Sequence, residues 1–149
     1  MSSRDPAGAA VQRLPLEQGY FVMPDDENPT PRLIASYSAT ADEYFFPRRK
    51  RCPVSFDAVE DRLLSPRGTL YSWTWIANMK YGAMSMGGEP HGVGQVDLPE
   101  GVRVQTRLLG QMGDWQIGMP MMVDLLPITK DSDGNELCTF CFRPDEDQD

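Results

Sequence analysis

The sequence predicts a mainly β protein: a small five-stranded barrel preceded by a short ribbon-like segment and an extended N-terminal arm. Three observations point there. Beyond residue 68 the chain breaks into five short runs that read as strands, the first dense in Tyr, Trp, Thr and Ile. Two of the connections, Pro99-Glu100-Gly101 and the stretch KDSDGN from Lys130 to Asn135, have hairpin-turn composition. Pro15, Pro24, Pro29 and Pro31 rule out a long helix at the start of the chain.

Residues 1–30 are rich in Pro, Gly, Asp and Glu, yet Leu14, Leu16, Tyr20, Phe21, Val22 and Met23 are too apolar for a pure linker. They read as an extended arm or a short helix that packs on the barrel or on a partner. Residues 31–64 form the ribbon-like segment. Its first part, PRLIASYSATADEYFF, fits a turn or hairpin with Leu33, Ile34, Tyr44, Phe45 and Phe46 as buried anchors. Its last part, Asp57 to Leu64, is too short to decide between a helical turn and a strand.

Residues 65–144 make the barrel. In its first strand, Thr69 to Met79, alternation puts Leu70, Ser72 and Thr74 on one face and Tyr71, Trp73 and Trp75 on the other. A loop rich in Gly and Met follows, YGAMSMGGEPHG, in which Gly82, Gly87, Gly88, Gly92 and Gly94 are expected to allow sharp turns. Val93 to Leu98, Val102 to Leu109, Pro120 to Thr129 and Glu136 to Phe142 complete a closed or nearly closed antiparallel barrel. Residues 145–149, with Asp145, Glu146, Asp147 and Asp149, read as a solvated, frayed acidic tail.

At 149 residues the chain fits one ordinary domain with short extensions, and 40% hydrophobic with 24% charged residues is a soluble globular composition. No apolar run approaches the roughly 18 residues a membrane helix needs. The first residues lack the apolar core of a secretory signal, so the expected compartment is the cytoplasm. A net charge of -8 argues against general nucleic-acid binding, which needs a broad basic surface. The sum hides an asymmetry, because Arg48, Arg49, Lys50 and Arg51 hold four of the 14 basic residues in one tetrapeptide.

Catalytic constellations are hard to draw. Cys52, Cys138 and Cys141 make no disulfide framework. Cys138 and Cys141 have the CxxC spacing of a metal clamp, but inside a strand they point to opposite faces, so buried thiols are expected and a structural zinc is not. Ser85 in AMSMG lacks the first glycine of a nucleophile elbow. The lone histidine, His91, sits at a strand entrance, where it could donate a hydrogen bond to a ligand carbonyl. Asp57, Glu60 and Asp61 read as a solvated helix face. The glycine spacings match no phosphate-cradling loop. Two surfaces remain as ligand or partner contacts: the Tyr81, Met84 and Met86 loop, and the Arg48–Arg51 cluster, whose guanidinium forks suit phosphate and whose direction Phe45 and Phe46 would set.

An aromatic pair, a proline and a basic cluster lead into Cys52, and a β-rich segment begins at Gly68. That is how a zinc ribbon hands over to an OB-type barrel. The segments PTPRLIASYSATADEYFFPRRKRCP, SPRGTLYSWT, HGVGQVDLPEGVRVQTRLLG, GMPMMVDLLP and a closing FRP, in that order from about Pro29 to Pro144, resemble the OB-fold, zinc-ribbon family of acyl-CoA-associated proteins, long catalogued as a domain of unknown function. The resemblance implies a non-catalytic OB-fold subunit of a thiolase-type complex (acyltransferase, thiolase or aldolase). Such a subunit supports assembly and helps hold a CoA thioester, while the catalytic residues belong to the partner. Family members serve steroid side-chain breakdown, anaerobic toluene breakdown, archaeal isoprenoid synthesis and phloroglucinol acylation.

The alternatives are an accessory subunit of an acyl-CoA hydratase and an OB module that binds single-stranded nucleic acid. Under the accessory-subunit reading, the expected CoA or partner contacts are the residues singled out above: Arg48, Arg49, Arg51, Phe45, Phe46, Tyr81, Met84, Met86 and His91. The departure is in the ribbon. The family's two CxxC pairs fall here on Ser38 and Ala41 and on Cys52 and Ser55, so zinc is not carried over and no other cofactor is expected. Tyr37, Tyr44, Phe45 and Phe46 are then expected to hold the ribbon in place of metal.

Overall fold

Residues 12–77, 80–81, 84–85 and 90–146 are described by a computed structural model. The arm contributes β1 (Arg13–Pro15) and β2 (Phe21–Val22). The ribbon contributes β3 (Arg32–Ser38), β4 (Glu43–Phe45) and β5 (Glu60–Leu63). The barrel begins with β6 (Arg67–Ile76), continues through the short pair β7 (Lys80–Tyr81) and β8 (Met84–Ser85), and is completed by β9 (His91–Asp97), β10 (Arg103–Leu108), β11 (Pro120–Lys130) and β12 (Glu136–Pro144). Within Asp57 to Leu64, Glu60–Leu63 resolves as a strand, and Glu60 and Asp61 lie on it rather than on a helix face.

The barrel sheet runs β1-β12-β10-β9-β6-β11 and closes through β11–β12. Antiparallel pairing joins β6 to β9, β9 to β10, β11 to β12 and β11 to β6. Closure between β10 and β12 is parallel, at Leu108 opposite Phe142, so the barrel is mixed rather than wholly antiparallel. Tertiary closure decides this contact, and neither strand's sequence announces it. Leu70, Val96, Val104, Leu108, Met121 and Phe142 fill the interior, each at most 1% exposed. Among the described residues, no helix is long and apolar enough to cross a membrane.

Two local expectations fail for physical reasons. The register of β6 against β9 shifts between Leu70 and Ser72, a bulge at Tyr71. Beyond it the inward face changes parity: Leu70 opposes Val96, Trp73 opposes Gly94 and Trp75 opposes Gly92. Leu70 therefore shares a face with Trp73 and Trp75, and Tyr71 is left exposed under Arg103, whose guanidinium carbon sits 3.3 Å from the ring centroid. Gly92 and Gly94, expected in a turning loop, lie instead inside β9 and face the core. A Cβ on Gly92 would stand 2.3 Å from the Trp115 ring, and one on Gly94 would stand 2.7 Å from Leu108. These glycines make room for a plug. Trp115, from the β10–β11 connection, is 3% exposed, packs against Trp73 and Trp75 at 5.5 and 6.0 Å, and donates its Nε1–H to the Leu109 carbonyl at 3.2 Å. Gly82, Gly87 and Gly88 lie outside the described residues.

The arm is bound at both ends. β1 runs parallel to β12, Arg13 to Pro15 beside Glu136 to Cys138, and β2 pairs with β3. β3 is the spine of the second sheet, with β4 and β5 both pairing along it. Leu33 and Ala35 on β3 face the common core, whereas all of β5 is exposed. The two sheets meet at Phe140 of β12, which takes Phe21 at 6.1 Å and Phe46 at 5.7 Å edge-on. Asp145, expected in the solvated tail, is 5% exposed, ion-paired to Arg67 at 3.1 Å and anchored by its N–H on the Pro120 carbonyl.

Candidate functional site

The ribbon is built from two matching tight turns. In the first, Ser38 ends β3 and its Oγ accepts the N–H of Ala41 at 3.1 Å; Asp42 follows at φ 53°. In the second, Cys52 Sγ accepts the N–H of Val54 at 3.4 Å and of Ser55 at 3.3 Å, and Phe56 follows at φ 62°. Each turn thus points the side chain at its first position back at its own backbone and passes through a left-handed residue after its fourth. This is the knuckle form that presents two thiolates to a metal. Here the four positions carry the hydroxyls of Ser38 and Ser55, the methyl of Ala41 and the thiol of Cys52, a donor set that does not fit the thiolate-rich tetrahedron of a structural zinc. Among the described residues, no group of three or more His, Cys, Asp or Glu side chains gathers for a metal ion.

Hydrogen bonds join the side chains of the two knuckles. Ser36, Ser38 and Cys52 are all fully buried. Burial pushes the Cys52 thiol up, but hydrogen bonds from the Ser38 and Ser55 hydroxyls and from the backbone N–H groups of Ser55 and Val54 outweigh it and bring it down to about 7. The Ser36 hydroxyl accepts the Arg49 N–H at 2.8 Å and donates to the Arg49 carbonyl at 3.2 Å, tying the basic segment to β3. Tyr37 and Tyr44 stack at 4.8 Å, the guanidinium of Arg62 lies 4.3 Å over the Tyr37 ring, and the Tyr37 hydroxyl donates to Asp42 at 2.6 Å. Backbone capping and aromatic pairing act together in the ribbon.

The basic cluster is divided among different partners. Arg48 reaches Asp61 on β5 at 2.7 Å and lies against Gly19 of the arm. Arg51 pairs with Ala58 across the second knuckle and donates from Nη1 to the Phe56 carbonyl at 3.2 Å. Arg49 and Lys50 are exposed. Phe45 is half-buried on β4, and Phe46 is half-buried against Phe140. His91 opens β9 opposite Ile76 and is half-buried. Tyr81 and Met84 pair in the β7–β8 hairpin, with side chains outside the description, and Met86 lies outside the described residues altogether. The structure thus brings Arg48, Arg49, Arg51, Phe45 and Phe46 into one ribbon and leaves His91 on the barrel.

Two residues of this region escape a reading of the sequence. Val54 and Phe56, at the tip of the second knuckle, are 62% and 71% exposed. The only signal is CPVSF itself, a knuckle sequence with a bulky residue where a left-handed conformation is needed. The other thiols are sealed in β12: burial raises both, Cys141 to about 12 with help from the Asp124 carboxylate. The surface also carries depressions, one of about 590 Å³ lined by residues that include Leu109, Asp114, Met119 and Arg143. A cleft of about 250 Å³ between arm and barrel is lined by Leu16, Glu17, Tyr20, Phe21, Thr139 and Phe140. A smaller one of about 170 Å³ lies over β6, β9 and β10, where Ser72, Gln95 and Gln105 hydrogen-bond to one another.

Comparison with known proteins agrees with this architecture. Residues 61–125 match the family model described as the ChsH2 C-terminal OB-fold domain. Among solved structures, a chain of the Ltp2-ChsH2(DUF35) aldolase is 31% identical, with a TM-score of 0.56 over 76% of this chain and 84% of that one. A DUF35-family protein of unknown function from Sulfolobus solfataricus is 17% identical, with a TM-score of 0.44 over 64% of this chain and 68% of that one. No curated protein sequence matches.

Proposed function

The chain belongs to the DUF35 family of ChsH2-type OB-fold proteins, and we propose that it is the non-catalytic OB-fold subunit of a thiolase- or aldolase-type complex that acts on acyl-CoA. One observation carries the reading: the 31% identity, over 84% of that chain, to a chain of the Ltp2-ChsH2(DUF35) aldolase, whose name joins a DUF35 protein to a second component. The chemistry of this chain supports it. Cys52, Cys138 and Cys141 are 0% exposed and offer no accessible nucleophile. The subunit's task is to complete the assembly and help enclose the CoA thioester, with the carbon–carbon bond chemistry on the partner. Three buried thiols suit a reducing compartment, and a cytoplasmic location belongs to the same reading.

Gentle purification of the chain from its host, followed by mass spectrometry of what accompanies it, tests the proposal. A stoichiometric thiolase-type partner is the expected result. A chain recovered alone and monodisperse at high yield overturns it, and a hydratase in place of the thiolase moves the chain to the other acyl-CoA complex.

A further inference from the structure

We propose that the tip of the second knuckle, Val54 and Phe56 beside the exposed basic run Arg49, Lys50 and Arg51, is a plug that docks into an apolar, acid-rimmed socket on the catalytic subunit. The inference rests on the accessory-subunit reading and names the surface through which that reading operates.

The plug is preorganised. Arg51 and Ala58 bridge its base, the Cys52 N–H donates to the Asp57 carbonyl at 2.9 Å, and the Phe56 N–H donates to the Cys52 carbonyl at 2.8 Å. With the two N–H groups on Cys52 Sγ, these bonds fix the loop before any partner arrives, so little conformational freedom is lost on docking. Pro53, Val54, Phe56 and Asp57 are all exposed, which makes the tip convex. Small-ligand sites are concave. A knob of this kind suits a protein socket better than a nucleotide.

Phe56 is the sharpest observation. Its φ of 62° is a conformation that glycine adopts freely and an aromatic residue does not. The first knuckle has the same left-handed position, filled by Asp42 at φ 53°. Aspartate tolerates that region well, and the Asp42 carboxylate accepts the Tyr37 hydroxyl at 2.6 Å. Strain there is offset within the chain. At Phe56 the knuckle's backbone hydrogen bonds hold the conformation, but the side chain takes no part: it is 71% exposed and buries little apolar surface of its own. A large apolar side chain that a rigid, left-handed turn presents to solvent is the kind of exposed apolar group that marks a protein-binding surface.

Charge names the partner's chemistry. The pairs Arg48–Asp61 and Arg62–Glu60 close on themselves. That leaves Arg49, Lys50 and Arg51, all exposed and directly preceding Cys52 in the chain, with Arg51 in contact with the tip through its bond to the Phe56 carbonyl. On a chain of net charge -8, this local positive run selects an acidic rim. Aromatic and arginine side chains at the centre of a patch are also the residues in which interface energy concentrates.

The test is a titration of the full chain against the catalytic subunit with which it co-purifies, at low and high salt, with thermal melting of the free chain in parallel. Phe56→Gly relieves the left-handed strain, so the free chain should melt at the same temperature or higher. Its association should nevertheless weaken by about tenfold or more, the loss expected of a buried aromatic anchor. Val54→Ser, at a position without strain, should weaken it less. Reversing Arg49, Lys50 and Arg51 to Glu should slow association and remove its salt dependence. Wild-type affinity in both Phe56→Gly and Val54→Ser overturns the inference. So does intact assembly with reduced CoA affinity, which would put the tip on the ligand. Failure of the wild-type chain to bind the catalytic subunit at all appears before any variant and rejects the accessory-subunit reading itself.

Discussion

The barrel and the ribbon of this chain are held together by different physics. In the barrel, the longer strands β6, β9, β10, β11 and β12 enclose a contiguous apolar core in which Phe142, Leu108 and Met121 are wholly buried. Its stability is distributed over many contacts and scales with apolar area removed from water. The ribbon has strands of three to seven residues, one of them fully exposed, and too little apolar surface to stand on its own. What closes it is local: two side chains, Ser38 and Cys52, that accept backbone N–H groups buried at the knuckles. Damage to the barrel should therefore be global, and damage to the ribbon local.

The largest effect is expected in the barrel. Phe142→Ala removes the biggest fully buried side chain and should lower unfolding free energy by about 3–5 kcal/mol in urea titration. A loss below about 1 kcal/mol would mean that the core collapses around the cavity and that the region is not packed as described. Gly92→Ala comes next. The added methyl would meet the Trp115 ring at 2.3 Å, so ring or strand must move, at about 1–3 kcal/mol. Tryptophan fluorescence should shift with the displaced plug, and Trp115→Phe should restore part of the loss. Unchanged fluorescence and stability would show that Gly92 is dispensable.

The same division decides what could be read from the sequence. Barrel strands are long enough to show composition and are bounded by turn residues, and all five were legible to within a few positions. The bulge at Tyr71 was not, because a bulge is chosen by pairing against β9 and leaves no mark on β6 alone. Gly92 and Gly94 misled because glycine serves both turns and close approaches, and only the position of Trp115 tells which. In the ribbon, Ser38, Ala41, Cys52 and Ser55 could be placed by their resemblance to a metal-binding pattern, yet nothing local said that Ser38 and Cys52 would take over by hydrogen bonding. The tetrapeptide Arg48–Arg51 looked like one basic patch. Asp61, thirteen residues on, divides it by claiming Arg48. Exposure and a left-handed φ are properties of the folded backbone, so Phe56 could not be singled out beforehand.

The smallest expected effect is the most specific to the ribbon. Cys52→Ala leaves the N–H groups of Val54 and Ser55 without their acceptor while the barrel core is untouched. Amide exchange should quicken at residues 52–57 and around Ser38, with barrel amides unchanged, as expected for a local opening. Acidity gives a second readout with a defined sign. Cys52 titrates at about 7 in the fold against an ordinary 9.0, so the folded state holds its proton less tightly than the unfolded chain. Its contribution to stability is therefore fully present above pH 9, declines between 9 and 7, and is lost as pH falls through 7. Cys138 and Cys141 in the barrel act oppositely. Burial raises both, Cys141 to about 12, so the stability they contribute is present below 9 and lost as the pH climbs beyond it. Wild-type stability should thus rise from pH 7 towards 9 and fall at higher pH. Cys52→Ala should flatten the rise and keep the fall. A variant that keeps the rise would move its origin out of the ribbon and remove the thiol from the account of how the knuckles are held.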